Sequence, residues 1–132
     1  MDNDGDPSFL IDIMKSDKEV IKKAEEIEKK ESTIEVTSIS ISELFVGVIL
    51  SIKQNQERNK INRVINGLLI ISFDADSIRE AGIIFAEKRK NGSIMDPEDS
   101  MIAGICSRKS KILITRNVKH FNDIEGLRIK GD

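Results

Sequence analysis

The sequence predicts an α/β fold: a parallel β-sheet with helices on both faces. Three observations lead there. Short runs rich in Ile, Leu and Val alternate with longer helical segments along the chain. No two of these runs are joined by a hairpin turn signal, so the strands must be linked by crossovers. The length, 132 residues, suits one domain with a sizeable core.

The elements follow in order. Ser8 to Met14 is a short apolar run. Ser16-Asp17 then caps a charged helix, SDKEVIKKAEEIEKKES, whose sparse apolar positions turn most of it to solvent. TIEVTSIS is rich in β-branched residues and reads as a strand. Ser40 or Ser42 starts an unusually apolar helix, ISELFVGVILSIKQN, with Glu43 in its first turn. After a break near Gln54 to Asn59, NKINRVINGLL reads as a second helix, and LIISF as the next strand. Asp74 or Asp76 caps the amphipathic helix DSIREAGIIFAEKRKNG, which Asn91-Gly92 ends. Pro97 suits the first turn of DPEDSMIAGICSRKS. KILIT is a strand, VKHFNDI one helical turn, and GLRI a last short strand.

Composition removes several functions. A net charge of −2 argues against a strongly basic nucleic-acid binder while leaving room for a locally basic cleft. Without Trp or Tyr, aromatic base-stacking platforms are not expected. The one cysteine, Cys106, rules out an internal disulfide or a thiolate zinc cluster and is expected in the core. A single histidine, His120, rules out a multi-histidine metal site. Any metal must then be held by oxygen, which selects Mg²⁺, Mn²⁺ or Ca²⁺. No apolar run is long enough to span a membrane, and the reducing cytoplasm is the expected compartment.

Sites in parallel α/β sheets lie outside the carboxyl ends of the strands. Acids just after a strand, or in the first turn of the next helix, are therefore the ones to weigh. The opening MDNDGD imitates a calcium loop starting at Asp2, but that loop needs Gly where Pro7 stands and Glu where Ile13 stands. Asp6, Glu43 and Asp99 each stand beside an apolar run. Singly, each is explained by the preference of helix starts for carboxylates. Together they share an address on one edge of the predicted sheet. Asp12 reads as a capping or solvated residue, Asp96 and Glu98 as helix N-terminal charges, and His120 as a surface residue packed on Phe121.

Four blocks carry a family resemblance: DPSFLIDIM, SISISELFVGV, DSMIAGI and ILITRNVKHFNDIEGLRI. In this order and spacing they resemble a PIN domain, in particular the VapC toxin ribonucleases of toxin–antitoxin pairs. The resemblance implies one PIN-like domain over residues 1–132, with residues 1–5 a disordered or non-native prefix. It implies a parallel sheet of four or five strands and a metal-dependent endoribonuclease activity.

Carried over residue by residue, the resemblance makes Asp6, Glu43 and Asp99 the carboxylates that hold Mg²⁺ or Mn²⁺. Asn117 stands at a fourth catalytic position that is often Asp, and Pro7 where Thr or Ser is usual. Neutral Asn117 favours one ion over two. Arg116, Thr115 and Lys119 are expected to contact RNA, Arg116 foremost. The implied partners are an RNA substrate, a VapB-like antitoxin and a second copy of the chain. The apolar helix around Glu43 offers surface for such an interface. The competing expectation is a catalytically weak or inactive PIN-like module that binds RNA or protein.

Overall fold

The computed structural model describes residues 8–11, 34–50, 59, 62–63, 66–115 and 117–131. Five strands make its sheet: β1 (Ser8–Ile11), β2 (Ile34–Thr37), β3 (Leu68–Ile71), β4 (Lys111–Thr115) and β5 (Arg128–Gly131). They lie in the order β3-β2-β1-β4-β5, every neighbouring pair parallel. Four helices are described: α1 (Ser38–Leu50), α2 (Ala75–Lys90), α3 (Pro97–Arg108) and the single turn α4 (Val118–Phe121). The parallel α/β arrangement expected from the alternating pattern is the one observed. The expected prefix, residues 1–5, and the charged helix from Ser16 lie outside the described residues.

Boundaries moved where side chains compete with the ladder. The strand expected to run to Ser40 stops at Thr37, and α1 begins at Ser38. Thr37 is fully buried, and its Oγ1 accepts from the Ser40 backbone N–H at 3.0 Å, satisfying one of the orphan donors at the helix start. Glu43 therefore sits in the second turn of α1, not the first. Further along, Asn59, Asn62, Arg63 and Asn66 are helical, but Leu68 and Leu69, expected at the end of that helix, belong to β3. The last strand begins two residues later than expected, at Arg128.

Helices α2 and α3 start and stop as the sequence predicts. Asp74 caps α2 by accepting from Ser77 N–H, and Asp96 caps α3 by accepting from Glu98 N–H. Asn91 closes α2, and Gly92 follows with φ of +82°, a left-handed conformation that glycine adopts without strain. The two helices pack with their backbones close together. A Cβ placed on Gly104 would lie 2.7 Å from Ser77 O and 2.8 Å from Ala81 N, so only hydrogen fits there.

Between these helices and β4 lies the core: Ile84, Met95, Ile102, Ala103, Ile105, Cys106, Leu113, Phe121 and Ile124 are buried together. Cys106 is fully buried, as its place on an apolar helix face predicts. An ion pair spans the sheet, with Lys111 Nζ on β4 2.9 Å from Glu35 Oε1 on β2. Both side chains are less than a fifth exposed, and β1 runs between their strands. On its outer side α1 stays apolar and uncovered: Phe45, Val46, Ile49 and Leu50 are all exposed. Among the described residues no helix is long and apolar enough to cross a membrane.

Candidate active site

All five strands point the same way, so their carboxyl ends form one edge. At that edge β2 leads through Thr37 into α1, and β4 leads through Thr115 into α4. Ser38 Oγ accepts from Phe73 N–H at 3.2 Å, which ties the start of α1 to the segment leaving β3. Helix α3 enters the same edge by its amino end, which brings Asp99 against the α4 turn. A side-chain contact joins the two: His120 Nδ1 lies 3.2 Å from Asp99 Oδ2.

Asp99 stands in the first turn of α3, where unsatisfied backbone N–H groups and the helix dipole favour a carboxylate. Its neighbour Asp96 already serves as the cap. The Asp99 side chain keeps about a fifth of its surface open, 21%. Around it opens a cleft of about 450 Å³, within the usual range of ligand-binding pockets. Lys88, Ile94, Asp96, Asp99, Lys119 and His120 are among the residues that line it.

The other expected site residues divide. Lys119 is exposed on the cleft wall. Asn117 is the N-cap residue of α4, and its backbone N–H donates to Thr115 Oγ1 at 3.0 Å. Thr115 itself is fully buried. Its hydroxyl holds the Asn117 backbone. Glu43 is partly buried on α1, and α1 packs against α3. Asp6 and Arg116 lie outside the described residues.

Among the described residues no three acids, histidines or cysteines come together to hold an ion. A three-carboxylate centre at Asp99 therefore needs a carboxylate from outside them. The register of β1 bears on which one. Ser8 pairs with Lys111 and Ile11 with Ile114, so the Ile11 end of β1 shares the edge with Thr115. Asp12 follows that end in sequence; Asp6 precedes the other.

His120 is a surface residue, as expected, with its side chain 58% exposed. What the sequence did not show is the partner of its Nδ1, Asp99. A signal was present: His120 occupies the position just before the Phe of the last block, where some VapC-like sequences carry an acid.

Away from the cleft, Asp74 is the described carboxylate with a clear shift. The hydrogen bond from Lys109 Nζ, at 2.7 Å, holds it far below the usual carboxylate range, and the Ser77 N–H adds to the effect.

Comparison with known proteins agrees with this architecture. The family described as PIN domain matches residues 6–127. Ribonuclease VapC2 of Rickettsia felis is 32% identical over 102 residues, covering 77% of this chain and 76% of that protein. The tRNA(fMet)-specific endonuclease VapC of Salmonella typhimurium is 28% identical over 95 residues, 72% of each chain. The solved structure of DNA-bound VapBC from Salmonella typhimurium superposes with a TM-score of 0.82 at 25% identity, over 96% of this chain and 98% of that one.

Proposed function

The chain belongs to the PIN domain family, among its VapC-like members, and from that premise we propose that it is a metal-dependent endoribonuclease, the toxin of a toxin–antitoxin pair in the cytoplasm. The observation that carries the reading is Asp99: a carboxylate in the first turn of α3, lining a cleft at the carboxyl edge of a parallel sheet. Oxygen is the donor available there, and oxygen donors suit Mg²⁺ or Mn²⁺. Asp99 and Glu43 would hold such an ion together with one carboxylate from the β1 segment. When bound, the ion supplies a lowered pKa for an attacking water and neutralises charge developing on the phosphate.

The remaining residues bind and orient. His120 Nδ1 bonds to one oxygen of Asp99 and fixes the carboxylate's rotation, as outer partners of metal-ligating groups do. Asn117, held through its backbone by Thr115, offers a neutral hydrogen-bonding side chain for the phosphate or the attacking water. Lys119 and Arg116 supply cations for the RNA backbone. The exposed apolar face of α1 fits a protein partner, either a second copy of the chain or a VapB-like antitoxin. The similar structure from Salmonella typhimurium contains toxin and antitoxin together.

Two acids compete for the third carboxylate. The family resemblance names Asp6. The direction of β1 favours Asp12, because it is the Ile11 end of that strand that shares an edge with Thr115. Calorimetric titration with Mn²⁺ tests the site and separates the two. Binding in the wild type that is lost in Asp99→Asn supports the ion centre. Loss in Asp12→Asn but not Asp6→Asn assigns the third ligand to Asp12, and the reverse pattern to Asp6. Wild-type protein that binds no Mn²⁺ at millimolar concentration would leave the chain a non-catalytic RNA- or protein-binding module.

A further inference from the structure

Four basic side chains are matched by acids: Arg79 and Arg108 by Asp76, Lys109 by Asp74, and Lys111 by Glu35. The two lysines of the cleft are different. Lys119 makes no ion pair with a described residue. Lys88, in the last turn of α2, donates from Nζ to a neutral acceptor, the backbone carbonyl of Asn122. That bond holds the ammonium at the cleft wall without cancelling its charge. It also uses only one of the three N–H donors. A positioned ammonium on the wall of the cleft that holds Asp99 is suited to an anionic group of the substrate.

Lining the same cleft is Ile94, the most exposed large apolar residue described, at 100%. A lone surface isoleucine needs no explanation. This one is held in place at the cleft. The loop that carries it is stapled to α2 by Gly92 N–H to Arg89 O at 3.1 Å and Ser93 N–H to Lys88 O at 2.9 Å. Met95 next to it is buried in the core, and Asp96 then caps α3. With both flanks fixed, Ile94 is presented at the cleft as a preformed apolar shelf. The chain has no Trp or Tyr to serve as a base platform, so an aliphatic shelf has no described aromatic rival of that kind.

We propose that Lys88 and Ile94 form a seat for the nucleotide flanking the scissile phosphate of a single-stranded RNA: Lys88 takes its backbone phosphate and Ile94 packs on its base. This rests on the ribonuclease reading and adds to it the part of the substrate that the cleft grips. Neither residue touches the reacting atoms. Both act on binding, so their loss raises KM and leaves kcat near its wild-type value.

The test is fluorescence anisotropy of a labelled single-stranded RNA on the full chain, with Ca²⁺ replacing the catalytic ion, over a salt series. Ile94→Ser weakens binding by roughly 3- to 10-fold, the loss of a modest apolar contact, and leaves the salt slope unchanged. Lys88→Gln lowers the slope of log K against log salt by about 0.7, as expected for one lost contact to a single-strand phosphate, and Lys88→Arg restores it. Mn²⁺ binding and thermal melting of Ile94→Ser match wild type, because its side chain is wholly outside the packing. If the wild type binds and cleaves RNA while both variants bind it with unchanged affinity and slope, the seat is refuted and the nuclease stands. If the wild type neither binds nor cleaves RNA, the nuclease reading fails and takes the seat with it.

Discussion

At the scale of single residues, the site is arranged by side chains that each have one duty. Asp96 caps α3, and Asp99, three residues on, lines the cleft. Thr115 is buried beneath Asn117 and holds its backbone, a role that β-propensity and block resemblance could not distinguish from RNA contact. Asp74 offers a residue-scale prediction. Lys109 and the Ser77 N–H stabilise its ionised form, so its folded pKa lies below the unfolded value of about 3.9. A depressed carboxylate contributes stability that is complete above the unfolded pKa and is lost as pH falls through the folded one. Asp74→Asn should therefore reduce stability at neutral pH and flatten the acid limb below about pH 4, as read by urea denaturation across a pH series. An unchanged acid limb would show that the Lys109 bond has no thermodynamic weight. The effect is modest in size, because the pair is solvent-exposed.

At the scale of elements, most of the fold was legible in the sequence because its signals are local. Asp74, Asp96, Pro97 and Asn91-Gly92 punctuate α2 and α3 where sequence rules place helix starts and stops. The boundaries that slipped depend on contacts the linear pattern does not carry. Thr37 ends β2 because its hydroxyl is needed as a cap, so Glu43 falls a turn deeper into α1 than its position after a β-branched run implies. The close approach of α2 and α3 was equally hidden, since Gly104 lies in an ordinary helical pattern. It makes a sharp prediction. In an exposed helix, Gly→Ala gains about 1 kcal/mol from propensity. Here the new methyl would meet two backbone atoms at 2.7 and 2.8 Å, and backbone cannot step aside as a flexible side chain can. Overpacking, typically about 1–3 kcal/mol, should outweigh the propensity gain. Thermal or urea denaturation of Gly104→Ala should show a net loss of stability, whereas a stabilised variant would contradict the helix–helix spacing.

At the scale of the whole molecule, the parallel sheet sends the starts of α1 and α3 to one edge. Glu43 and Asp99 are 56 positions apart in the chain, yet α1 leaves the carboxyl end of β2 while the amino end of α3 returns to that same edge. The family resemblance, read from motifs alone, assigns Glu43 and Asp99 to one centre. It could not anticipate the course of β1, because the apolar strand usual before the first acid is replaced here by MDNDG. The run that does form β1 is Ser8–Ile11, after Asp6, and its direction makes Asp12 a rival for the ligand position. His120 was hidden for a related reason: its contact with Asp99 joins residues 21 apart, across α3, β4 and α4. The account depends most on Asp99, and the direct measurement is cleavage of mixed RNA with Mn²⁺ by wild-type protein and by Asp99→Asn, both confirmed folded by circular dichroism. A carboxylate-held ion centre predicts that the amide variant loses activity by at least about a hundredfold, corresponding to several kcal/mol of transition-state stabilisation. Full activity in Asp99→Asn would contradict it.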